Sequence, residues 1–321
     1  MKALFFKNNK LILSKNHLPP LPAEKEALIR VTCTGICATD IEIMKGYMGF
    51  EGILGHEFVG VVEKCSQKNL VGQRVSGEIN IACGKCLYCK RGMERHCPER
   101  SVLGILNKDG AFAEYITLPI KNLHLIPDSI PDEEAVFVEP VAAAFEILEQ
   151  VNISSDDNIC IIGDGRLGIL TAQVLETRGC KLLVEGRHEK KLAILKARGI
   201  NTRRVTEVHP EYTDKFDIVI DCTGSPSGLE QAIQRVRPRG TVVLKTTVAG
   251  KRTFDFNELI IDEIALIGSR CGPFEPAIKA LAERKIDVTP LISKVFTLDE
   301  GIKAFNYASQ KGVMKVLVNI R

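Results

Sequence analysis

Hydrophobic and polar positions divide the chain into two parts with different patterns. The first third carries short runs rich in Val, Ile, Thr and aromatic residues, separated by glycines and charged turns: LIRVTCTGICATD, FVGVVEKC, GQRVSGEIN and AFAEYITLP. Runs of this kind predict short β-strands, and several in succession predict a barrel or sandwich.

The pattern changes near Ala135. A helical stretch, EEAVFVEPVAAAFEILEQV, leads into strand NICIIG, helix GRLGILTAQVLETRG, strand KLLVEG and helix HEKKLAILKARG. With RRV, FDIVIDCTG, TVVLK and IALIGS, these give six candidate strands for a doubly wound parallel sheet. The chain then returns to strand, helix and strand. We therefore expect an α/β protein with a β-rich domain at residues 1–145 and 286–321, and a dinucleotide-binding domain at residues 146–285.

Length and composition describe an ordinary globular protein. A chain of 321 residues exceeds one compact core, and a net charge of +3 predicts no nucleic-acid partner. The start, MKALFFKNNKLILSKNH, lacks the apolar core of a signal peptide, and no later segment is long enough to span a bilayer. We expect a cytoplasmic protein with no membrane partner, whose eleven cysteines are thiols or metal ligands.

Four cysteines lie within CGKCLYCKRGMERHC: Cys83, Cys86, Cys89 and Cys97. Four closely spaced thiolates satisfy the tetrahedral preference of zinc and leave no position for a substrate, which predicts a structural zinc site. Four unrelated buried cysteines are an alternative, but such residues normally lie in apolar runs. An iron–sulfur cluster also uses four thiolates and stays open.

A second candidate cluster is spread over three segments. GICATD contains Cys37, GHEFVG contains His56 and Glu57, and VFVEPV contains Glu139. Each is weak alone, because a single buried histidine or cysteine is usually structural. Together they offer the mixed Cys, His and Glu ligands of a catalytic zinc with an open position. A carboxylate inside an apolar run is costly to bury unless it is paired or metal-bound, although Glu139 also reads as a helix-start residue ahead of Pro140.

The stretch IIGDGRLG carries Gly163, Gly165 and Gly168 in the G-x-G-x-x-G pattern between a predicted strand and a predicted helix. This context predicts a pyrophosphate site at the helix N-terminus.

The end of the next predicted strand, LLVEGRHEKK, bears on the choice of cofactor. An NAD site presents an acid to the ribose 2′-hydroxyl, whereas a 2′-phosphate needs space and an arginine. If Gly186 holds the acid position, then Arg187 with His188 or Lys190 predicts NADP. If Glu185 holds it, the prediction is NAD.

These motifs, with the late IGSRCG, resemble the zinc-containing medium-chain dehydrogenase/reductase family over nearly the whole chain. The resemblance implies a GroES-like catalytic domain, a Rossmann domain, one catalytic and one structural zinc, NADP or NAD, and a homodimer or homotetramer. Cys37 and His56 become ligands of the catalytic zinc, and Glu57 and Glu139 become ligand or near-ligand carboxylates. The implied cofactor contacts are Gly163, Gly165, Arg166, Leu167, Gly168, Glu185, Arg187, Thr223 and Arg270.

The resemblance also implies a reaction. Thr39 accepts a hydrogen bond from a zinc-bound substrate hydroxyl and passes the proton outward, Asp40 orients a zinc ligand, and hydride leaves for the nicotinamide. The histidine that often follows the TD pair as the outer end of the proton relay is missing here, where the chain reads IEI.

We therefore expect an oxidoreductase that transfers hydride between NAD(P) and a small-molecule secondary alcohol, polyol, sugar or amino alcohol. Two alternatives remain: a non-catalytic, redox-responsive protein that binds zinc and dinucleotide, and a zinc-free carbonyl or enone reductase of the same fold. The second should lack Cys37, His56 and Glu139.

Overall fold

The computed structural model describes residues 1–205, 214–245 and 254–320. The chain forms two compact units. The first contains Met1–Glu139, Phe274–Glu283 and Val288–Arg321, and the second contains Pro140–Pro273 and Arg284–Asp287. The domain boundaries expected near residues 145 and 285 stay a prediction. No helix among the described residues combines the length and the apolarity that crossing a bilayer requires.

The amino-terminal part of the first unit is mostly β-structure, as its apolar runs predict. Its strands are β1 (Ala3–Lys7), β2 (Lys10–Ser14), β3 (Glu26–Ile36), β4 (Gly52–Ile53), β5 (Glu57–Lys64), β6 (Arg74–Gly77), β7 (Asn80–Ile81), β8 (Ser101–Val102), β9 (Tyr115–Pro119) and β10 (Leu123–Leu125). Three short helices accompany them: α1 (Ala38–Met44), α2 (Leu87–Lys90) and α3 (Asp132–Ala135).

The stretch that reads as one helix from its composition forms two. After α3 ends, α4 (Val138–Gln150) begins two residues before Pro140. Proline lacks an N–H and is tolerated in the first turn of a helix, where that N–H has no partner, but not in the interior. A continuous helix from Asp132 would place Pro140 in its interior, so the break follows from the sequence.

The second unit alternates strand and helix. Its elements are β11 (Asn158–Ile162), α5 (Arg166–Glu176), β12 (Lys181–Gly186), α6 (Glu189–Lys196), β13 (Asn201–Arg204), β14 (Phe216–Asp221), α7 (Gly228–Ile233), β15 (Val236–Leu244), α8 (Asn257–Ile261) and β16 (Ala265–Gly268). The strands form one parallel sheet in the order β13-β12-β11-β14-β15-β16. This is the doubly wound order of dinucleotide-binding folds, and it confirms the predicted six-stranded sheet.

The remaining elements are α9 (Phe274–Ala282), β17 (Ile292–Thr297), α10 (Gly301–Ala308) and β18 (Lys315–Asn319). The large sheet of the first unit runs β10-β6-β5-β3-β18-β17, with β9 also paired to β3. Near its end β3 lies between β5 and β18, because Gly35 faces Glu57 on one side and Leu317 on the other. The last strand of the chain is thereby placed beside the segment GICATD.

Candidate functional site

The first candidate site lies where β3 ends and α1 begins. Cys37 immediately precedes α1, and its main-chain N–H donates a 2.8 Å hydrogen bond to Oδ2 of Asp40. The other carboxylate oxygen, Oδ1, accepts the main-chain N–H of Gly55 at 3.2 Å. Asp40 is fully buried, so one side chain fixes the backbone at Cys37 and the backbone just before His56.

His56 is buried, and its Nδ1 lies 3.4 Å from Oδ1 of Asp40. Burial opposes a positive charge on the imidazole, but the charges of Asp40 and Cys37 outweigh it and raise the pKa of His56 well above its usual value. The preceding residue must be glycine: Gly55 has φ +100°, and a Cβ there would lie 2.7 Å from the ring of Phe112. The negative charge of Asp40 therefore stabilises positive charge at His56.

The metal-binding atoms of Cys37, His56 and Glu57 all lie within 4.8 Å of one another. Sulfur, imidazole nitrogen and carboxylate oxygen are the donors that zinc binds, and three protein ligands leave one position open, as in catalytic sites. The hydroxyl of Thr39 adjoins this cluster, with its Oγ1 3.6 Å from the Cys37 sulfur. The structure thus brings together five of the predicted site residues: Cys37, Thr39, Asp40, His56 and Glu57.

Glu139 is half-buried in the first turn of α4. Within the described part of the chain, the donors that converge near Cys37 are His56 and Glu57, and Glu139 is not one of them. The prediction that Glu139 is a zinc ligand stays a prediction.

A buried lysine, which the sequence analysis did not identify, lies beside the cluster. Lys315 is at the start of β18 and forms an ion pair with Glu57; the two side chains are 1% and 3% exposed. They meet across the end of β3 because Gly35 has no side chain: a Cβ there would lie 2.7 Å from Oε2 of Glu57 and 2.8 Å from Cε of Lys315. Burial lowers the pKa of Lys315 to about 8, although the negative charge of Cys37 acts in the other direction and raises it. The available signal was a lysine inside the apolar run VMKVLV.

The four clustered cysteines form a second candidate metal site in the first unit. Their sulfur atoms all lie within 4.8 Å of one another, with Cys86 3.4 Å from Cys89 and 3.8 Å from Cys97. Burial, together with the hydrogen bond shared with the Cys86 thiol, raises the pKa of the Cys89 thiol to about 12. Thiols held this close resist ionisation until a cation neutralises them, so the arrangement fits a tetrathiolate metal site.

The glycine loop of the second unit has the geometry that its motif predicts. Gly163 has φ +120°, and a Cβ there would lie 2.6 Å from the carbonyl oxygen of Cys222. A Cβ at Gly168 would lie 2.1 Å from the carbonyl oxygen of Gly163. At Gly165, which precedes α5, no atom lies within 4 Å of such a Cβ. The first and third glycines are required by packing, whereas the second leaves open space in front of the helix N-terminus, where a pyrophosphate fits.

The end of β12 carries the residues on which the two predictions for the cofactor depend. Glu185 is fully buried, and its carboxylate accepts Nε of Arg235 at 2.6 Å and a guanidinium nitrogen of Arg203 at 3.3 Å. Arg235 is itself fully buried. The Glu185 carboxylate thus belongs to an internal ion pair, whereas Arg187, which follows Gly186 just after β12, is exposed.

These elements border a cavity of about 260 Å³. Its lining includes the predicted contacts Gly163, Gly165, Glu185, Arg187 and Thr223, together with Asp164, Gly186, His188 and Lys191. The other predicted cofactor residues lie elsewhere in the second unit: Arg166 and Leu167 in the first turn of α5, Gly168 behind them, and the exposed Arg270 two residues beyond β16.

Comparisons with known proteins agree with this architecture. The family described as the alcohol dehydrogenase GroES-like domain matches residues 23–128, and the family described as zinc-binding dehydrogenase matches residues 167–284. A sorbitol dehydrogenase from Halalkalibacterium halodurans is 30% identical, with 93% of each chain covered. An L-threonine 3-dehydrogenase from Shewanella frigidimarina is 29% identical, with 94% of each covered.

Two solved structures extend the likeness. An alcohol dehydrogenase from Escherichia coli CFT073 in complex with NADH superposes with a TM-score of 0.91 at 26% identity, covering 100% of this chain and 99% of that one. A protein from Sinorhizobium meliloti 1021, described as a zinc-binding dehydrogenase and bound to NADP, gives 0.88 at 26% identity, covering 99% of both. The predicted fold class, a GroES-like domain with a Rossmann domain, is confirmed. The chain belongs to the zinc-containing medium-chain dehydrogenase/reductase family.

Proposed function

We propose that this protein is a zinc-dependent dehydrogenase that transfers hydride between NADP and a secondary alcohol, polyol, sugar or amino alcohol. The observation that carries the proposal is the convergence of Cys37, His56 and Glu57 beside the hydroxyl of Thr39. A protein that only bound dinucleotide would have no use for three zinc-type donors next to a proton-accepting hydroxyl. The sorbitol and threonine dehydrogenases among the relatives act on alcohols of these classes.

Both donor clusters fit zinc. Zinc bound at Cys37, His56 and Glu57 would supply Lewis acidity toward a substrate oxygen, and zinc at the four cysteines would stabilise the fold. The residues around the first cluster then have separate tasks. Asp40 holds the backbone at both ligand segments. Thr39 Oγ1, beside the Cys37 sulfur, would accept a hydrogen bond from the substrate hydroxyl and relay its proton to solvent. Lys315 balances the charge of Glu57.

The preference for NADP is proposed from the end of β12. Gly186 carries no acid of its own at the end of the strand, and Arg187 and Lys191 supply positive charge around the cavity, which His188 also lines. The carboxylate of Glu185 is already paired with the guanidinium of Arg235. Loss of a charge-assisted bond costs about 1.5–3 kcal/mol, so Arg187→Ala should weaken NADP binding at least about tenfold and spare NAD. A wild-type preference for NAD that Glu185→Ala abolishes would contradict this assignment.

The experiment that tests the function combines metal analysis with a substrate screen. We expect two zinc ions per chain, the tetrathiolate ion being harder to remove because its coordination shell is closed. Turnover is measured with secondary alcohols, sugars and amino alcohols, using NADP and NAD. Cys37→Ser should lose one zinc ion and all turnover. The control is Cys65→Ser, which lies outside both clusters and should keep two zinc ions and full turnover. A full complement of zinc in Cys37→Ser, or turnover without zinc, would refute the proposal.

Glu139 is proposed as a carboxylate that adjusts the metal site. Glu139→Gln should then lower kcat strongly and leave zinc content and dinucleotide binding intact. If Glu139 serves only the start of α4, the variant should instead be less stable with unchanged kcat per folded molecule. Measuring kcat and the thermal midpoint together separates the two roles.

Self-association as a homodimer or homotetramer is proposed from the edge of the second unit. Strand β16 ends the sheet, and Ile260 and Ile261 in the preceding helix α8 are 72% and 77% exposed. An exposed apolar patch beside a sheet edge is typical of a protein interface. Light scattering should show an oligomer that Ile260→Asp dissociates; a monomeric wild type would contradict it.

We also propose a cytoplasmic location, where reduced thiols can hold metal.

A further inference from the structure

Asp164 places a carboxylate at an unexpected position in the nucleotide cavity. It lies between the first two glycines of the loop, and its side chain is 9% exposed. A Cβ on Gly186 would lie 2.5 Å from Cβ and 2.6 Å from Oδ2 of Asp164. The place beside the end of β12, where a strand residue presents the acid in NAD sites, is therefore filled by a carboxylate from the glycine loop. No acid side chain could be accommodated at Gly186 while Asp164 stays there.

Both oxygens of Asp164 are directed at one residue. Oδ2 accepts the main-chain N–H of His188 at 2.6 Å, and the imidazole Nδ1 of His188 lies 3.0 Å from Oδ1 and 3.1 Å from Oδ2. His188 immediately precedes α6, so these contacts anchor the start of that helix. Arg187 is the single residue between the anchored His188 and Gly186, which is packed against Asp164.

We propose that Asp164 is a positioning residue that determines cofactor choice. By holding His188, it fixes the backbone of Arg187 and the first turn of α6, which carries Lys191, around the 2′-phosphate of the cofactor. An arginine on an unanchored loop would lose backbone freedom on binding, and its affinity for phosphate would fall. The proposal rests on the NADP preference proposed above, and it adds a residue for which the strand-end motif gives no signal.

The hydrogen bonds of Asp164 are compatible with this role. A free carboxylate beside a 2′-phosphate would repel it, but the oxygens of Asp164 already face an N–H donor and an imidazole. Arg187 would contact the 2′-phosphate directly, whereas Asp164 would act through His188 and need not touch the phosphate. Removing Asp164 should therefore affect ligands with a 2′-phosphate and leave the rest of the adenosine site unchanged.

The experiment uses calorimetry with two ligands that differ only in the 2′-phosphate, adenosine 2′,5′-bisphosphate and 5′-AMP. Wild type should bind the bisphosphate at least about tenfold more tightly, as expected for a charge-assisted contact. Asp164→Ala should lose about tenfold in bisphosphate affinity and stay within about twofold for 5′-AMP. Asp164→Asn should restore most of this loss, because its side-chain oxygen can still accept the His188 N–H.

The matched control is Asp217→Ala. Like Asp164, Asp217 binds one main-chain N–H, that of Asn158 at 2.8 Å, and one nitrogen-bearing side chain, Arg237 at 2.6 Å, but it does so at the amino end of the same sheet. Asp217→Ala should leave the difference in affinity between the bisphosphate and 5′-AMP unchanged.

The possible outcomes separate the two proposals. Equal loss of both ligands in Asp164→Ala would mean a merely structural role and overturn the Asp164 proposal, and so would tighter bisphosphate binding, which would mean repulsion. If Arg187→Ala loses the 2′-phosphate preference and Asp164→Ala keeps it, only the Asp164 proposal fails. A wild type without any preference overturns the NADP assignment itself.

Discussion

Replacing Lys315 by methionine should destabilise the metal-free protein far more than the zinc-loaded protein. Methionine has nearly the volume of the lysine stem, so the change removes a charge with little change in packing. In the metal-free protein it leaves the Glu57 carboxylate buried, 3% exposed, without its ammonium partner. If zinc binds at the proposed Cys37, His56 and Glu57 site, the divalent cation would take over as countercharge.

The magnitude follows from the burial of both partners. Removing one member of a buried ion pair costs about 3–5 kcal/mol, because the remaining charge stays desolvated. The ammonium also lies 5.4 Å from the centroid of the Phe137 ring, a contact worth about 0.5–2 kcal/mol. If bound zinc restores about 3 kcal/mol of the loss, thermodynamic linkage requires that zinc affinity at this cluster rise roughly a hundredfold.

Urea unfolding with and without zinc tests this, with zinc content measured in every sample so that the two clusters can be distinguished. Lys45→Met is the control, since Lys45 forms an exposed pair with Glu42 in the same unit and should change stability by less than about 0.5 kcal/mol. Glu57→Gln combined with Lys315→Met should recover much of the loss. The reasoning is refuted if Lys315→Met costs no more than Lys45→Met, or costs the same with and without zinc.

Two further predictions concern other parts of the molecule. Gly168→Ala should destabilise the second unit by about 1–3 kcal/mol and abolish dinucleotide binding, because its Cβ would lie 2.1 Å from a backbone oxygen; a variant that binds normally in calorimetry would contradict this. His124 stacks on Phe274, and burial lowers its pKa below 6.5, so the unfolded chain takes up the proton first and stability falls as pH drops through 6.5. His124→Phe keeps the stacked ring and should remove that part of the pH dependence; unfolding curves between pH 5 and 8 that run parallel for both proteins would contradict it.

The sequence predicts features whose determinants lie close together along the chain. Runs rich in β-branched and aromatic residues identify several strands of the first unit, including β3, β5, β6 and β9. Strand–helix alternation identifies the six-stranded sheet, and the four-cysteine spacing identifies a candidate metal site within fifteen residues. The glycine loop is likewise local. In each case the signal, an apolar pattern or a cysteine spacing, lies within one short segment of the chain.

Features that depend on strand register are not predicted. Lys315 reaches Glu57 only because β18 pairs with β3 so that Val316 faces Ile36, and nothing local to either residue specifies that pairing. From the sequence, Glu185 either held the acid position of an NAD site or left that position to Gly186. Its partner Arg235, which accounts for its burial, lies fifty positions further along the chain. The apolar context of Glu139 indicated a buried carboxylate, but its distance from the other donors depends on the packing of α4.

The Cys37, His56 and Glu57 cluster and the nucleotide cavity share one local feature: a strand glycine leaves space for charged side chains from distant parts of the sequence. Gly35 near the end of β3 admits Glu57 and Lys315, and Gly186 at the end of β12 admits Asp164. Neither glycine has a positive φ, so neither is required by backbone conformation; the requirement is space. A glycine inside a strand pattern weakens the strand unless a neighbour needs that space. Such glycines therefore mark, in the sequence alone, positions where distant charged residues are expected to converge, even though they do not identify which residues those are.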